Sequence, residues 1–504
     1  MDIFEKARDR SPVISRIVKF QSGYVYPFVL AVLCAVSASF GKNVYIPCIT
    51  VLWLLIAFAG LFSNDMRVFI APALIAYYSL GSDMPEGFYQ GLYKETLYTA
   101  RPTPQFESSS LVFFLVCLFT LGALLIYKMV HLGILKKMLT ERGVFFYGII
   151  AVDVAMILNG IGSGVWCIGS LLYGLLSAFV LTICYLMFYS VLKQQDDSAP
   201  YLCTVLVATA LCVCMQVAIT AFRLYSNDVL LIVFSQSKIL VNRALFSASW
   251  GLVTIVGAVI ASAIPAAFYL AKNSRFPIPS YACALLFYAV SFFINVRSAM
   301  IIGSVFTFIG AICCSVSGKN KRVNRIITLI IIACVLIAFI YLCVYNPEFA
   351  KELFEKITYS LRIDIDFGED TLSEIIGPRY SRWANGIKDF LSAPAFGVGF
   401  VSGDYQMNRV YDYMHHNVII EFMGSMGVVG IIAILFHIFE LIRETFRKFG
   451  TNKLLLICVP LSIIGMSLFD NFFFYPNFII IYGAFLACAE LCPGKSRTKV
   501  PEIK

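Results

Sequence analysis

Long apolar runs separated by short polar segments make up most of the chain. A membrane hydrocarbon core is about 30 Å thick and a helix rises about 1.5 Å per residue, so a spanning helix needs roughly 17 to 25 apolar residues. The pattern predicts fourteen spans: 24–40, 44–62, 67–80, 110–128, 144–160, 167–192, 201–221, 247–270, 278–294, 299–317, 326–345, 417–438, 454–470 and 474–491. We therefore predict an all-α polytopic membrane protein with about 14 transmembrane helices, in which residues 1–504 form a single transmembrane domain.

The composition agrees with a bilayer as the solvent. Of the 504 residues, 60% are hydrophobic and 14% are charged, and the mean hydropathy is +0.82, which excludes an ordinary soluble domain. The net charge of +9 does not indicate a nucleic-acid partner, because membrane proteins accumulate Lys and Arg in cytoplasmic loops. Most of the 16 cysteines lie in apolar runs and none forms a CxxC pair, so we expect neither disulfides nor metal ligands.

The distribution of positive charge predicts the orientation. With the N-terminus in the cytoplasm, 25 of the 39 lysines and arginines fall in inner segments and 14 in outer ones. Half of those 14 lie in residues 346–416, and long outer loops cross the membrane whatever their charge. We therefore predict a multi-pass protein with both termini cytoplasmic and with residues 346–416 as a large outer loop between the eleventh and twelfth spans. The polar N-terminus shows no signal-peptide cleavage pattern, so we expect the first helix to be retained.

Two helices are predicted inside the large outer loop. Asn346 can cap the first of them. The second carries Trp383, Ile387 and Leu391 on one face and ends before Pro394. We expect the two helices to fold over an outward-facing cavity.

One pair of histidines falls on the predicted outer side. His415 and His416 lie where the twelfth span begins, followed by Asn417 and Glu421. A histidine near neutral pH can accept a proton from a hydroxyl, which makes this pair a candidate catalytic site. The alternatives are an interfacial pair that only hydrates a helix end, and a Glu421 that only pairs with an outer arginine.

Several arginines lie on the same predicted side of the membrane. Arg297 occupies a short outer turn with no acidic neighbour, Arg223 and Arg243 bracket another outer segment, and Arg379 and Arg382 lie in the large loop. Guanidinium groups bind phosphate oxygens bidentately, so several arginines around one cavity would suit a diphosphate. Snorkelling to the lipid headgroups is the alternative and is favoured for Arg223.

Two further carboxylates interrupt or end apolar runs. Asp153 raises the alternative of a flippase or proton-coupled transporter, because carboxylates inside a membrane are costly and often functional. The sequence shows no inverted repeat and no paired broken helices of the kind that transporters use. Asp470 ends the thirteenth span, where it could cap a helix junction with Asn471.

The region from Val241 onward resembles the O-antigen ligase and polymerase superfamily. The motifs that carry the resemblance follow one another in the family's order: Ser381-Arg382-Trp383-Ala384-Asn385-Gly386, Pro394-Ala395-Phe396-Gly397-Val398-Gly399, His416-Asn417, and a span with Gly424, Gly427 and Gly430. The turn around Arg297 is similar to the family's S-R-S turn, with Asn and Val preceding the arginine. The N-terminal half agrees with the family only in having many helices.

The resemblance implies a glycosyltransferase of the GT-C type that needs neither metal nor cofactor. Its implied substrate is an undecaprenyl-diphosphate-linked glycan at the outer, periplasmic face of the bacterial inner membrane. Arg243 and Arg297 would hold the diphosphate, and His416 would face the acceptor hydroxyl. The motif needs one histidine, so His415 stays an alternative.

A polymerase of O-antigen or capsular polysaccharide is the favoured member of that family. Fourteen spans and a single long outer loop resemble a polymerase more than a ligase, since the resemblance gives the family's ligases about twelve helices. An O-antigen ligase, which transfers the glycan to lipid A core or to protein, is the alternative. Membrane lipid and a chain-length regulator are further candidate partners, and no nucleic acid is expected.

Overall fold

A computed structural model describes residues 3–39, 41–79, 108–194, 197–226, 253–294, 296–317, 319–330, 378–400, 415–447 and 450–492. Within these ranges the chain is predominantly α-helical. In chain order the helices are α1 (Ile3–Arg10), α2 (Pro12–Gln21), α3 (Tyr26–Ser39), α4 (Gly41–Phe62), α5 (Arg67–Ser79), α6 (Ser108–His131), α7 (Ile134–Thr140), α8 (Phe146–Ile157), α9 (Ile168–Leu192), α10 (Ser198–Ser226), α11 (Val253–Asn273), α12 (Ile278–Phe293), α13 (Arg297–Ser317), α14 (Pro378–Ser392), α15 (Val418–Arg447), α16 (Thr451–Ser467) and α17 (Pro476–Leu491). A 3₁₀ turn at Phe472–Phe474 separates the last two.

Every predicted span that falls on described residues coincides with one of these helices. Most of span 326–345 lies outside the described residues. Among the described residues, five helices can cross a membrane by length and composition, or seven if each of two sharply bent helix pairs is one span. Five more apolar helices are shorter, among them Phe146–Ile157 and Thr451–Ser467. The part of the chain that the structure describes is thus that of a helical membrane protein, and the number of fourteen crossings stays a prediction.

The helix predicted to follow Asn346 lies outside the described residues. The second helix predicted in the large loop is confirmed as α14, which ends at Ser392, two residues before Pro394. Ile387 and Leu391 on its predicted apolar face are both exposed.

The described chain divides into two compact units. Unit 1 comprises residues 1–142, 186–267 and 282–299. Inside it α10 packs against α3 and α5, and α4 packs against α3 and α6. Tyr26, Leu30 and Tyr201 are fully buried in this helical core.

Unit 2 comprises residues 143–185, 268–281 and 300–504. It contains the histidine motif, by which we mean His415, His416 and Asn417. Helix α15 packs against α8 and α14, and α16 packs against α17. Near one end of α8, the Gly148 N–H donates to the carboxylate of Glu440 on α15 (2.7 Å). A side chain at position 148 would overlap that carboxylate, because an added Cβ would lie 2.3 Å from Glu440 Oε2.

Candidate active site

A break in helix α15 shapes the site. Gly427 lies inside the helix but has φ 64° and ψ −151°, a backbone conformation that side chains other than glycine rarely adopt. A Cβ at this position would come within 2.5 Å of the Pro394 carbonyl oxygen and 2.6 Å of Ala395. The break therefore exists where a second segment of backbone reaches the helix.

That segment is the glycine loop, residues 394–400, which follows α14. It supplies the hydrogen bonds that the broken helix cannot make internally, as buried backbone in a membrane requires. The backbone bonds are Val398 N–H to Gly424 O (3.0 Å), Gly399 N–H to Ser425 O (3.0 Å) and Val428 N–H to Pro394 O (2.8 Å). Gly397 and Gly399 both have positive φ, 67° and 89°, which explains the two glycines of the motif.

Asn159, just beyond α8, holds the other side of the glycine loop. Its amide oxygen accepts the N–H of Phe400 (3.0 Å), while its amide nitrogen donates to the carbonyl of Ser170 (2.9 Å). The neighbouring Gly160 N–H donates to the Phe396 carbonyl (2.7 Å). Asn159 is fully buried, and its amide oxygen binds the glycine loop while its amide nitrogen is anchored to the Ser170 and Met156 carbonyls.

His415 is a buried link between α14 and α15. Its Nδ1 lies 3.0 Å from Glu421 Oε2 on α15, and its Nε2 lies 3.3 Å from Asp389 Oδ2 on α14. The other Glu421 oxygen accepts the hydroxyl of Ser425 (2.7 Å), and Asn471 Nδ2 reaches Oε2 at 3.3 Å. Because both ring nitrogens face carboxylates, the geometry suits a doubly protonated, positively charged imidazole with a structural role.

The surroundings of His415 determine its charge. Burial alone would lower its pKa, but the negative charge of Glu421 and the hydrogen bonds to Asp389 and Glu421 outweigh burial and raise the pKa to about 9. The folded protein therefore stabilises the positively charged form of His415.

We expect the stability of the protein to fall in the alkaline range because of this residue. A folded-state pKa raised from about 6.5 stabilises the fold fully below about pH 6.5, and that contribution is lost as the pH rises through about 9. A shift of this size corresponds to on the order of 3 kcal/mol. Thermal unfolding from pH 6 to 10 should show the loss in the parent protein but not in His415→Gln; His131→Gln, at an exposed histidine, should keep it. Parallel profiles in all three would contradict the assignment.

His416 has a different environment from its neighbour. Its Nδ1 lies 2.9 Å from Asp470 Oδ1, and its Nε2 contacts the guanidinium of Arg382 on α14. An arginine cannot accept a hydrogen bond, so Nε2 is the acceptor and Nδ1–H is the donor to Asp470. The side chain is 26% exposed, compared with 5% for His415. His416 thus combines a partly exposed ring with a carboxylate that fixes its tautomer.

The backbone of His416 is also unusual. Its φ of 51° is the one positive value at a non-glycine residue in the part of the chain that the structure describes. Asn417 next to it caps α15, because its side-chain oxygen accepts the N–H groups of Ile419 (3.0 Å) and Ile420 (3.3 Å). Its amide nitrogen also donates to the Leu468 carbonyl (3.1 Å), beyond α16. These bonds hold His416 in its strained position at the start of the helix.

Of the arginines predicted to bind the diphosphate, Arg382 is the one whose described side chain contacts the histidine motif. Arg243 lies outside the described residues, as do the side chains of Arg223, Arg297 and Arg379. Their predicted roles stay predictions.

Sequence reasoning missed Asp389, Asn159 and the function of Asp470. Asp470 does accept the N–H of Asn471 (2.8 Å), as a helix-junction cap would, but the same oxygen also faces His416. A polar residue at the end of an apolar run was the available signal for both Asn159 and Asp470. Asp153, the residue behind the transporter alternative, is buried and accepts a hydrogen bond from the Thr182 hydroxyl.

A family model described as O-antigen ligase matches residues 260–435. The matched segment contains Arg297, α14, the glycine loop, both histidines and the break in α15, whereas Asn159 and Asp470 lie outside it. No curated protein gives a significant match to the chain. The match supports the O-antigen ligase and polymerase superfamily of membrane glycosyltransferases, and with it a function in O-antigen-related glycan transfer, without separating ligase from polymerase.

Proposed function

We propose that the protein polymerises undecaprenyl-diphosphate-linked oligosaccharide repeat units into O-antigen or capsular polysaccharide at the outer face of the bacterial inner membrane. The observation that carries the proposal is the arrangement of Asp470, His416 and Arg382, which supplies a positioned base beside a guanidinium group. The family match to residues 260–435 and the predicted outer location of the histidine motif support it.

Glycosyl transfer from a lipid diphosphate needs a base that accepts the proton of the acceptor hydroxyl and a positive group that stabilises the leaving diphosphate. The bond between the anomeric carbon and the phosphate oxygen breaks, the lipid diphosphate leaves with the electron pair, and the acceptor hydroxyl oxygen bonds to the carbon. In our proposal Nε2 of His416 takes the hydroxyl proton, and Asp470 stabilises the resulting imidazolium through Nδ1–H. Arg382 stabilises the negative charge on the leaving diphosphate.

The contact between Arg382 and His416 suggests an order of events. While the guanidinium contacts Nε2, that nitrogen cannot accept a proton from the substrate. A diphosphate is a stronger ligand for a guanidinium than a neutral imidazole is, because both of its partners are charged. Binding of the lipid diphosphate would therefore draw Arg382 away and free Nε2 for the acceptor hydroxyl. We assign Arg379 to the same diphosphate, and the roles of Arg297, Arg243 and Arg223 as diphosphate ligands stay predictions from the sequence.

The O-antigen ligase reaction is the second candidate, since the matching family model carries that description. The chemistry at His416 would be the same, and the acceptor would be lipid A core or protein. The polymerase is preferred on the predicted number of spans and the predicted single long outer loop.

One assay separates the two candidates. Purified protein in proteoliposomes should lengthen lipid-diphosphate-linked repeat units, seen as a ladder on a gel, without any added lipid A core. Transfer that occurs only after lipid A core is added would identify the ligase instead. A ladder that survives Asp153→Asn but not His416→Ala would exclude a mechanism based on Asp153. Formation of no glycosidic bond with either acceptor would contradict both candidates.

A further inference from the structure

Helix α2 of unit 1 has three distinct faces. Ile14, Val18 and Gln21 face the rest of the unit, and the Gln21 amide donates to the Leu55 carbonyl (2.8 Å). A second face is apolar but remains 37 to 63% exposed. It consists of Val13, Ile17 and Phe20. The third face is polar and basic, with Ser15, Arg16 and Lys19 all exposed.

Helix α7 repeats the same division over its seven residues. Ile134 and Met138 are buried, at 1% and 4% exposure, so this pair faces the protein. Leu135 and Leu139, one residue further on, are 46% and 72% exposed. Lys136 and Thr140 form the exposed polar side, next to Lys137.

Both helices turn sharply away from the apolar helix next to them. The angle is 76° between α2 and α3, and 71° between the end of α6 and α7, where Gly133 has φ 66°. If α3 and α6 cross the membrane, helices at such angles lie nearly parallel to its surface. In that orientation one face points to the protein, the apolar face down to lipid and the basic face to water.

The two helices belong to the same end of unit 1. Glu5 on α1 contacts His131, the last residue of α6, at 3.8 Å, and it accepts a hydrogen bond from Asn64. Arg8 reaches the carbonyl of Phe62 at the end of α4 (3.5 Å), and Lys193 pairs with Glu141 (3.2 Å). The predicted topology puts all of these segments on the cytoplasmic side.

We propose that α2 and α7 are in-plane helices that bind anionic phospholipids of the cytoplasmic leaflet. The charges match this partner, because the water-facing sides carry Arg16, Lys19, Lys136 and Lys137 without a carboxylate among them. The adjoining helices also expose apolar side chains, Phe28 and Val29 on α3 and Ile126 and Val130 on α6, so acyl chains can cover both. A re-entrant course of α2 into the bilayer is disfavoured, since it would place Arg16 and Lys19 in hydrocarbon.

Photo-crosslinking in the full-length protein tests the lipid-facing side. A benzophenone amino acid at Ile17 or Leu139, in vesicles containing phosphatidylglycerol, should crosslink to lipid acyl chains, as mass spectrometry of the adducts can show. The matched controls are Ser15 and Thr140 on the water side, where at least fivefold less lipid adduct is expected. Equal lipid adducts at all four positions, or adducts with a second protein chain, would overturn the proposal.

Lipid retention tests the basic side. The quadruple variant Arg16→Gln, Lys19→Gln, Lys136→Gln and Lys137→Gln should retain at least threefold less phosphatidylglycerol in native mass spectra. The control removes four exposed charges that are predicted to lie on the same side of the membrane but outside these helices: Lys319, Lys321, Arg322 and Arg325. Equal losses in both variants would overturn the proposal. Neither experiment depends on glycan transfer, so the proposed function is tested separately.

Discussion

Replacing His416 with alanine is expected to lower the rate of glycan transfer by about 10²- to 10⁴-fold, the usual contribution of a positioned general base. The reason is that His416 is the partly exposed histidine whose ring is oriented by a carboxylate, at 2.9 Å from Asp470. Asp470→Asn should cause a comparable loss, because an amide can no longer stabilise the imidazolium or fix the tautomer. Initial rates of glycan lengthening in proteoliposomes give the measurement.

The pattern of kinetic effects distinguishes chemistry from folding. Both variants should lower kcat while KM for the lipid-linked donor changes little, since Asp470 acts through His416 and not on the donor. His131→Ala provides the control at an exposed histidine and should retain the parent rate at equal expression. Full activity in His416→Ala would refute the assignment of His416 as the base and would leave His415 as the candidate base.

A single methyl group at Gly427 is expected to cost about 2 to 5 kcal/mol of stability, from the unfavourable φ and from overlap with neighbouring backbone. The overlapping atoms are the Pro394 carbonyl oxygen and Ala395, at 2.5 and 2.6 Å from the added Cβ. Backbone cannot move aside as a flexible side chain can. Gly427→Ala should therefore lower the unfolding temperature in detergent and should also displace the glycine loop from α15.

A matched glycine provides the control for this substitution. Gly122 lies inside α6, and no atom beyond its own helical turns lies within 4 Å of the position that a Cβ would take. Gly122→Ala should leave stability unchanged or raise it slightly, because alanine favours helix more than glycine does. If Gly427→Ala were as stable as Gly122→Ala, α15 would be continuous and the glycine loop would pack elsewhere.

The positions of the helices were predictable from the chain because each depends on a local property. A run of apolar residues long enough to satisfy its own backbone hydrogen bonds becomes a helix in a membrane, whatever surrounds it. The end of α14 was predictable for a similar reason, since Pro394 lacks the N–H that would continue the helix. The number of membrane crossings does not follow in the same way, because short helices such as Phe146–Ile157 satisfy the pattern without the length of a span.

The different roles of His415 and His416 depend on tertiary contacts and could not be predicted from the local sequence. The sequence placed His415 and His416 side by side and left both as candidates for the base. Their roles separate because the backbone at His416 turns through a positive φ, which directs one ring toward Glu421 and Asp389 and the other toward Asp470 and Arg382. No spacing rule relates residue 416 to residue 470.

The sequence by itself thus determined a helical membrane protein, the order of its motifs and a helix ending at Ser392, since apolar length, proline and glycine act within a few residues. Only the tertiary structure decided that α15 is broken at Gly427, that the glycine loop supplies the missing hydrogen bonds of the broken helix, and that Asp470 orients the partly exposed His416. The physical reason is that hydrogen bonds in a buried site join whichever groups packing brings together.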